Sequence, residues 1–242
     1  MSRTAAWAAG VGLVAALLVP SPLAADTGTV TTDTGTANVE TGTSSTEPAA
    51  QPKKGPRYVF PFAKVAVSWP ADHLNYPAVD VEGCYARVLA PVAGVVTQVR
   101  RKDKWDPKVD SPGTRGGKTI IMHGDDTVRY FFSHLGRIKV GIGQRVEAGQ
   151  WIGVIGSSGN ARVTRCHLHL GFSRICPLAE TRLLQGEIWP QRYLEAWRRG
   201  EQLSPRAEKN TRIAESPGGC TAAADDLVQE IAQRTERRKN SR

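Results

Sequence analysis

The segment CHLHLGFSRIC, residues 166–176, places two histidines one residue apart within a short apolar run. Side chains two residues apart in a strand point to the same face, so His167 and His169 would present their imidazoles together, about 7 Å apart. Such a pair can ligate a metal ion or share a proton transfer. The alternative is a half-buried strand whose histidines do no chemistry, because histidine often occurs partly buried.

Other residues of suitable type lie in two further segments. His134 occurs in YFFSHL, where alternation predicts that Tyr130, Phe132 and His134 share one face of a strand. His73 and Asp80 occur in HLNYPAVD, just before the first clear strand. A catalytic zinc site needs three protein ligands and one open position, which two histidines and one carboxylate would provide. The sequence contains no HExxH segment, so the helix-borne zinc peptidase pattern is excluded.

The order of these motifs resembles a known family. Asp80, APVAGVV, YFFSHL, VGIGQRVEAGQWIGVIGSSG and HLHL follow one another as in the lysostaphin-type zinc metallopeptidases, which cut peptide bonds in bacterial peptidoglycan. The resemblance covers roughly residues 57–175. It implies a secreted zinc-dependent endopeptidase whose partner is the peptide crosslinks of peptidoglycan.

The resemblance also implies roles for individual residues. Asp80 and the second histidine of the pair, His169, correspond to zinc ligands. His134 and His167 correspond to catalytic histidines that do not bind the metal. His123, in IIMHGDD, corresponds to a position outside the metal shell.

The sequence departs from the family at the remaining ligand. The family has a histidine four residues before the aspartate, and this position is Tyr76 here, whereas His73 stands seven residues before Asp80. A looped HLNYPA segment, with Pro77 fixing the backbone, would bring His73 to the metal. The predicted Zn²⁺ ligands are therefore His73, Asp80 and His169. Without His73 the site would have only two protein ligands.

The residue pattern of positions 57–177 predicts the strands that position these side chains. Short apolar runs rich in β-branched residues alternate with glycine-containing turns, which is typical of an all-β domain. With the resemblance, the prediction is an antiparallel, barrel-sandwich-like metallopeptidase domain. Residues 100–117 are predicted to form a long hairpin loop with Trp105 on its surface, contact of Trp105 with substrate being the alternative. Residues 156–165 are predicted to form a flexible loop that lines the cleft, and a simple turn is the alternative.

After Cys176 the sequence pattern becomes typical of helices instead of strands. Residues 178–235 are predicted to form a helical extension, with helices in QRYLEAWRRG, SPRAEKNTRIAES and AAADDLVQEIAQRTERRK. WPQRYLEAW, residues 189–197, is expected to pack against the barrel. Residues 236–242 are predicted to be a disordered tail.

The first 25 residues read as a secretory signal peptide. Arg3 precedes an apolar run over residues 5–19, and small residues follow around Ala25. This run is short for a bilayer span of about 20 residues, so an uncleaved anchor is the alternative. Residues 26–56, rich in Thr, Gly and Ser, are predicted to be a disordered stalk. The expected location is extracytoplasmic, in the periplasm or cell wall, with no membrane contact beyond the signal peptide.

The net charge of +9 and the pI of about 9.7 favour an anionic partner. Nucleic acid, membrane and wall polymer all qualify, and export argues against nucleic acid. The alternative is that the charge only keeps an exported protein soluble. A monomer is expected.

Four cysteines in an exported chain predict two disulfides, with three possible pairings. A Cys166–Cys176 bond is disfavoured, because a strand over residues 167–173 spans about 20 Å and the three following residues return only about half of that. Disulfide Cα atoms lie within about 7 Å. The antiparallel strands that the resemblance implies favour Cys84–Cys166, leaving Cys176–Cys220. Against this, Cys84 has the strand parity of Asp80 unless Gly83 breaks the strand.

Two other functions fit parts of the pattern. The glycine-turn strands are similar to biotinyl and lipoyl carrier domains, but no lysine stands at the matching hairpin tip. The second alternative is a catalytically inactive relative that binds the wall or activates an amidase, although such relatives typically lose the metal ligands.

Overall fold

The structure, a computed structural model, describes residues 55–71, 73, 76–177 and 180–240. The predicted signal peptide and residues 26–54 of the predicted stalk lie outside the described residues. Among the described helices, none is both long enough and apolar enough to cross a membrane.

Ten strands in two antiparallel sheets form the described β domain, which confirms the all-β prediction. The strands are β1 Phe62–Ala63, β2 Val79–Glu82, β3 Arg87–Leu89, β4 Gly94–Arg100, β5 Thr119–Gly124, β6 Arg129–Ser133, β7 Leu135–Ile138, β8 Arg145–Val146, β9 Trp151–Ile155 and β10 His167–Ser173. One sheet has the order β1-β3-β9-β7 and the other the order β2-β10-β6-β5-β4-β8.

Strand β10 divides the larger sheet into an apolar and a polar face. Leu168, Leu170 and Phe172 are fully buried in a cluster that also contains side chains of the smaller sheet. Because side chains alternate along a strand, His167 and His169 point to the other face. The apolar core therefore fixes which way the histidine pair faces.

The loop between β4 and β5 folds back onto a neighbouring segment. Trp105 is only 7% exposed, its indole N–H donates to Asp110 Oδ1 at 2.8 Å, and the Arg162 guanidinium lies over its ring at 4.9 Å. The expectation of a surface-exposed Trp105 is wrong, because this loop packs on residues 159–163. Those residues, Gly159–Val163, form a 3-10 helix within the segment predicted as a flexible loop.

Three helices follow the sheets, as predicted: α1 Gln191–Arg198, α2 Arg206–Glu215 and α3 Gly219–Asn240. Helix α3 runs through residues 236–240, which the sequence predicted as disordered tail. A Glu236–Lys239 ion pair of 3.3 Å, three residues apart, and basic side chains in the last turn favour this continuation. The expected packing of residues 189–197 is present, since Trp197 is buried with its ring 5.7 Å from that of Phe172.

The disulfides are Cys84–Cys166 and Cys176–Cys220, with Cα atoms 5.6 and 5.8 Å apart, so both predicted pairings are confirmed. The strand alternation that argued against Cys84–Cys166 is interrupted at Gly83. This residue has a φ of +145°, a conformation that glycine adopts without strain, and β2 ends just before it. Cys84 is therefore free of the alternation that governs Asp80.

Candidate metal centre

Asp80 and His169 face each other across two neighbouring antiparallel strands. Asp80 of β2 is the register partner of His169 of β10, and His169 Nδ1 lies 2.9 Å from Asp80 Oδ1. Register partners on neighbouring strands point to the same face of the sheet. Because His169 points to the polar face, Asp80 does so as well, and the two side chains meet there. The structure thus brings together two of the residues that the sequence singled out.

His73 completes a group of three donors. Its Nε2 lies 3.5 Å from Asp80 Oδ2, and one donor atom each from His73, Asp80 and His169 all lie within 4.8 Å of one another. The Tyr76 ring stands 4.4 Å from that of His73 and 5.7 Å from that of His169. The residue at the family's usual ligand position therefore packs beside the group, while His73 enters it.

The hydrogen bond of the second ring nitrogen indicates the tautomer of His169. His169 Nε2 lies 2.9 Å from the Gln185 carbonyl oxygen, which can only accept, so Nε2–H donates. A neutral imidazole then has a lone pair on Nδ1, and this lone pair faces a carboxylate oxygen of Asp80. Two acceptors this close require a proton or a cation between them. The donor set of two imidazoles and one carboxylate suits zinc, and the Gln185 carbonyl orients the His169 imidazole by accepting its Nε2–H.

The electrostatics of Asp80 keep its carboxyl group ionised. Burial alone would raise the pKa of Asp80, but the contacts with His169 and His73 outweigh it and hold the pKa well below its usual range. A carboxylate that is charged at neutral pH is the form that ligates a cation.

His134 and His167 form a second pair beside this group, with ring centroids 4.7 Å apart. The predicted alternation of Tyr130, Phe132 and His134 is wrong. Tyr130 and Phe132 are fully buried in the core, whereas β6 ends at Ser133 and His134 has a φ of +61°. This left-handed residue reverses the direction of its side chain and turns His134 to the polar face.

Backbone carbonyls fix the tautomers of this second pair. His134 Nδ1–H donates to the Ser158 carbonyl at 2.9 Å, and His167 Nδ1–H donates to the Arg165 carbonyl at 2.7 Å. Burial, reinforced by the nearby His167, lowers the pKa of His134 to about 4. His134 is therefore neutral at neutral pH, with its free lone pair on Nε2.

Two features that position His169, the Gln185 carbonyl and Gly171, were not predicted from the sequence. The Gln185 carbonyl belongs to the backbone, and any residue type could supply it. Gly171 makes its approach possible, because a Cβ at this position would stand 2.2 Å from that oxygen. The glycine directly after HLHL was the available signal. His123 lies in β5 opposite Arg129, outside the group of three donors.

The two antiparallel sheets and the His–Asp–His group define a β domain built around a candidate metal site. Residues 76–179 match the model described as Peptidase family M23. This part of the chain is therefore similar to the M23 peptidases. No curated protein matches the sequence.

Solved structures with a similar arrangement include the catalytic domain of lysostaphin from Staphylococcus simulans, at 22% identity and a TM-score of 0.38, covering 56% of this chain and 92% of that domain. A second structure of lysostaphin from the same organism is 24% identical with a TM-score of 0.39, covering 58% of this chain and 50% of that one. A zinc-containing peptidase from Vibrio cholerae is 21% identical with a TM-score of 0.36, covering 48% and 36%. The chain thus spans most of an isolated catalytic domain and half or less of the longer structures.

Proposed function

We propose that this protein is a secreted zinc-dependent endopeptidase that cleaves peptide bonds in bacterial peptidoglycan. The observation that carries the proposal is the convergence of His73, Asp80 and His169 donors within 4.8 Å beside a second histidine pair. The match to an M23 peptidase model supports the reaction class. The two disulfides agree with an oxidising, extracytoplasmic setting.

The three donors would hold Zn²⁺, which supplies Lewis-acid polarisation of the scissile carbonyl and a water of lowered pKa. The Gln185 carbonyl would keep His169 in the tautomer that offers Nδ1 to the metal. The side chain of His169 is only 7% exposed, so the site partly excludes bulk water and strengthens the electrostatic interactions within it.

The second pair would handle protons. His134 donates through Nδ1 to the Ser158 carbonyl, so its free Nε2 is available to accept the proton of the attacking water. His167 is held by the Arg165 carbonyl through Nδ1, so its Nε2 faces the site, 4.0 Å from Asp80 Oδ1. It is suited to donate to the oxyanion or to the leaving amine.

Paired alanine variants test the assignment. His169→Ala should lose both bound zinc and wall-lytic activity, because it removes a metal donor. His134→Ala should retain zinc but lower kcat by at least about 100-fold, the usual contribution of a general base. Zinc per chain by elemental analysis and release of peptide fragments from purified walls, followed by mass spectrometry, measure the two effects. Full lytic activity in either variant would contradict the proposal.

One observation favours a catalytically inactive relative that binds the wall or activates an amidase, namely Tyr76 at the position where the family has a ligand. This alternative predicts that the wild-type protein sediments with walls or stimulates an amidase but releases no fragments. Zinc at one equivalent together with fragment release would exclude it.

A further inference from the structure

A basic groove lies between the end of β4 and the turn after β7. We define it by the residues that line a cavity of about 630 Å³: Val99, Arg100, Arg101, Lys102, Lys104, Thr114, Gly141 and Ile142. Four of these eight side chains are cationic and none is acidic. The groove is distinct from the histidine site, since it shares none of the residues named there.

The two arginines of the basic groove are held in place without losing their charge. Arg101 donates from Nη1 to the Ile138 carbonyl at 3.2 Å and from Nη2 to the Val140 carbonyl at 2.7 Å. Arg100 Nη1 donates to the Gly113 carbonyl at 2.7 Å. Carbonyl oxygens orient a guanidinium but do not neutralise it, so both arginines present a fixed positive charge.

Among the residues that the structure describes, no carboxylate pairs with either lysine of the basic groove. Both lysines, Lys102 and Lys104, are exposed. The acidic residue between them, Asp103, points elsewhere. Its carboxylate accepts from the backbone N–H groups of Gly159 and Trp105 at 2.8 and 3.1 Å. The sequence KDK therefore places two ammonium groups at the groove and the intervening carboxylate away from it.

An apolar residue borders this charge. Ile142 is 68% exposed and lines the groove with Val99, so apolar surface adjoins the four cations. A ligand for the groove should therefore carry several anionic groups separated by short carbon segments. A free inorganic anion has the charge but no such segments.

We propose that the basic groove binds a linear polyphosphodiester chain, with phosphates on the four cations and the intervening carbon segments against Val99 and Ile142. Single-stranded nucleic acids release about 0.7 counterion per neutralised phosphate, and we expect a similar value here, so binding should weaken steeply with salt. Such a contact would hold the protein on an anionic polymer irrespective of its catalytic state.

The test uses the full chain and a fluorescently labelled synthetic poly(glycerol phosphate), with binding followed by anisotropy between 50 and 300 mM salt. The variant Lys102→Ala/Lys104→Ala should raise Kd about tenfold and reduce the log–log salt slope by about 1.4, the equivalent of two lost contacts. The matched control Lys108→Ala/Arg237→Ala removes the same charge from exposed sites outside the groove. It should change Kd less than twofold.

A second pair of variants tests the carbon segments. Ile142→Ser should weaken binding about threefold, whereas Val109→Ser, an exposed apolar residue outside the groove, should not. Equal effects of the lysine variant and its charge-matched control would overturn the proposal. So would binding to phosphatidylglycerol vesicles without binding to the polymer, since the groove would then recognise a lipid surface.

Discussion

At the scale of single residues, the third metal donor decides whether the site is complete. Tyr76 and His73 lie beside each other, and the structure places the imidazole, not the phenol, within reach of Asp80. The proposed ligand is therefore three residues earlier in the sequence than in the family, and its Nε2 lies 3.5 Å from Asp80 Oδ2.

A ligand exchange tests this interpretation. His73→Ala should reduce bound zinc to well below one equivalent, because only Asp80 and His169 remain. His73→Ala/Tyr76→His should recover zinc, since it returns a histidine to the position four residues before Asp80. Elemental analysis after dialysis against a weak chelator measures the occupancy, and Tyr76→His alone is the control. A His73→Ala variant that keeps one tightly bound zinc would show that His73 is not a ligand.

The residue scale also shows what could be read from the sequence. The HxH spacing and strand parity sufficed to place His167 and His169 on one face, and the resemblance supplied Asp80. The position of His134 could not be derived from alternation, because it depends on a left-handed residue at the end of β6. The Gln185 carbonyl could not be found either, since a backbone oxygen has no residue type.

At the scale of elements, the site depends on how closely the segment around residue 185 approaches β10. Gly171 permits this approach, and a Cβ there would stand within 2.6 Å of both the carbonyl carbon and oxygen of Gln185. Backbone atoms cannot rotate away as a flexible side chain can. The segment would have to shift, and the hydrogen bond from His169 Nε2 would lengthen.

Gly171→Ala should therefore lower the free energy of unfolding by about 1–3 kcal/mol, the usual cost of overpacking. It should also weaken zinc binding about 10- to 100-fold, as loss of an outer-shell partner does. Chemical denaturation and zinc competition titrations measure the two quantities. Gly113→Ala is the control, because a Cβ at Gly113 meets no atom within 4 Å. Equal unfolding free energies and zinc affinities of the two variants would contradict a role for the close packing of the segment around residue 185 against β10.

At the scale of the whole described molecule, the buried apolar side chains form two separate clusters. These clusters explain which secondary-structure elements could be predicted from the sequence. The larger cluster joins both sheets and α1, and its alternating and helical patterns are visible in the sequence. The burial of Trp105 was not predicted, because it depends on contacts with Arg162, 57 residues away. Local patterns do not report such distant contacts.

The smaller cluster carries the last prediction. The residues of this cluster are Cys176, Leu183, Ala223, Ala224 and Leu227. The cluster and the Cys176–Cys220 disulfide both attach α3 to the segment that contains Cys176 and Leu183. A cluster of this size buries little surface, so the disulfide should provide much of the attachment. The bond closes a 44-residue separation, for which a stabilisation of about 2–4 kcal/mol is typical.

Cys176→Ala/Cys220→Ala should therefore release α3 without dismantling the metal site, because the histidine-bearing strands belong to the larger cluster. Amide hydrogen exchange should accelerate by at least about 30-fold, the equivalent of 2 kcal/mol, in α3 but not in β10. Zinc content should stay at one equivalent. The comparison variant, Cys84→Ala/Cys166→Ala, removes the bond whose Cys166 directly precedes His167, and it should instead raise exchange in β2 and β10. If the first variant loses zinc or exposes β10, then α3 supports the sheets, and the two clusters form one cooperative unit.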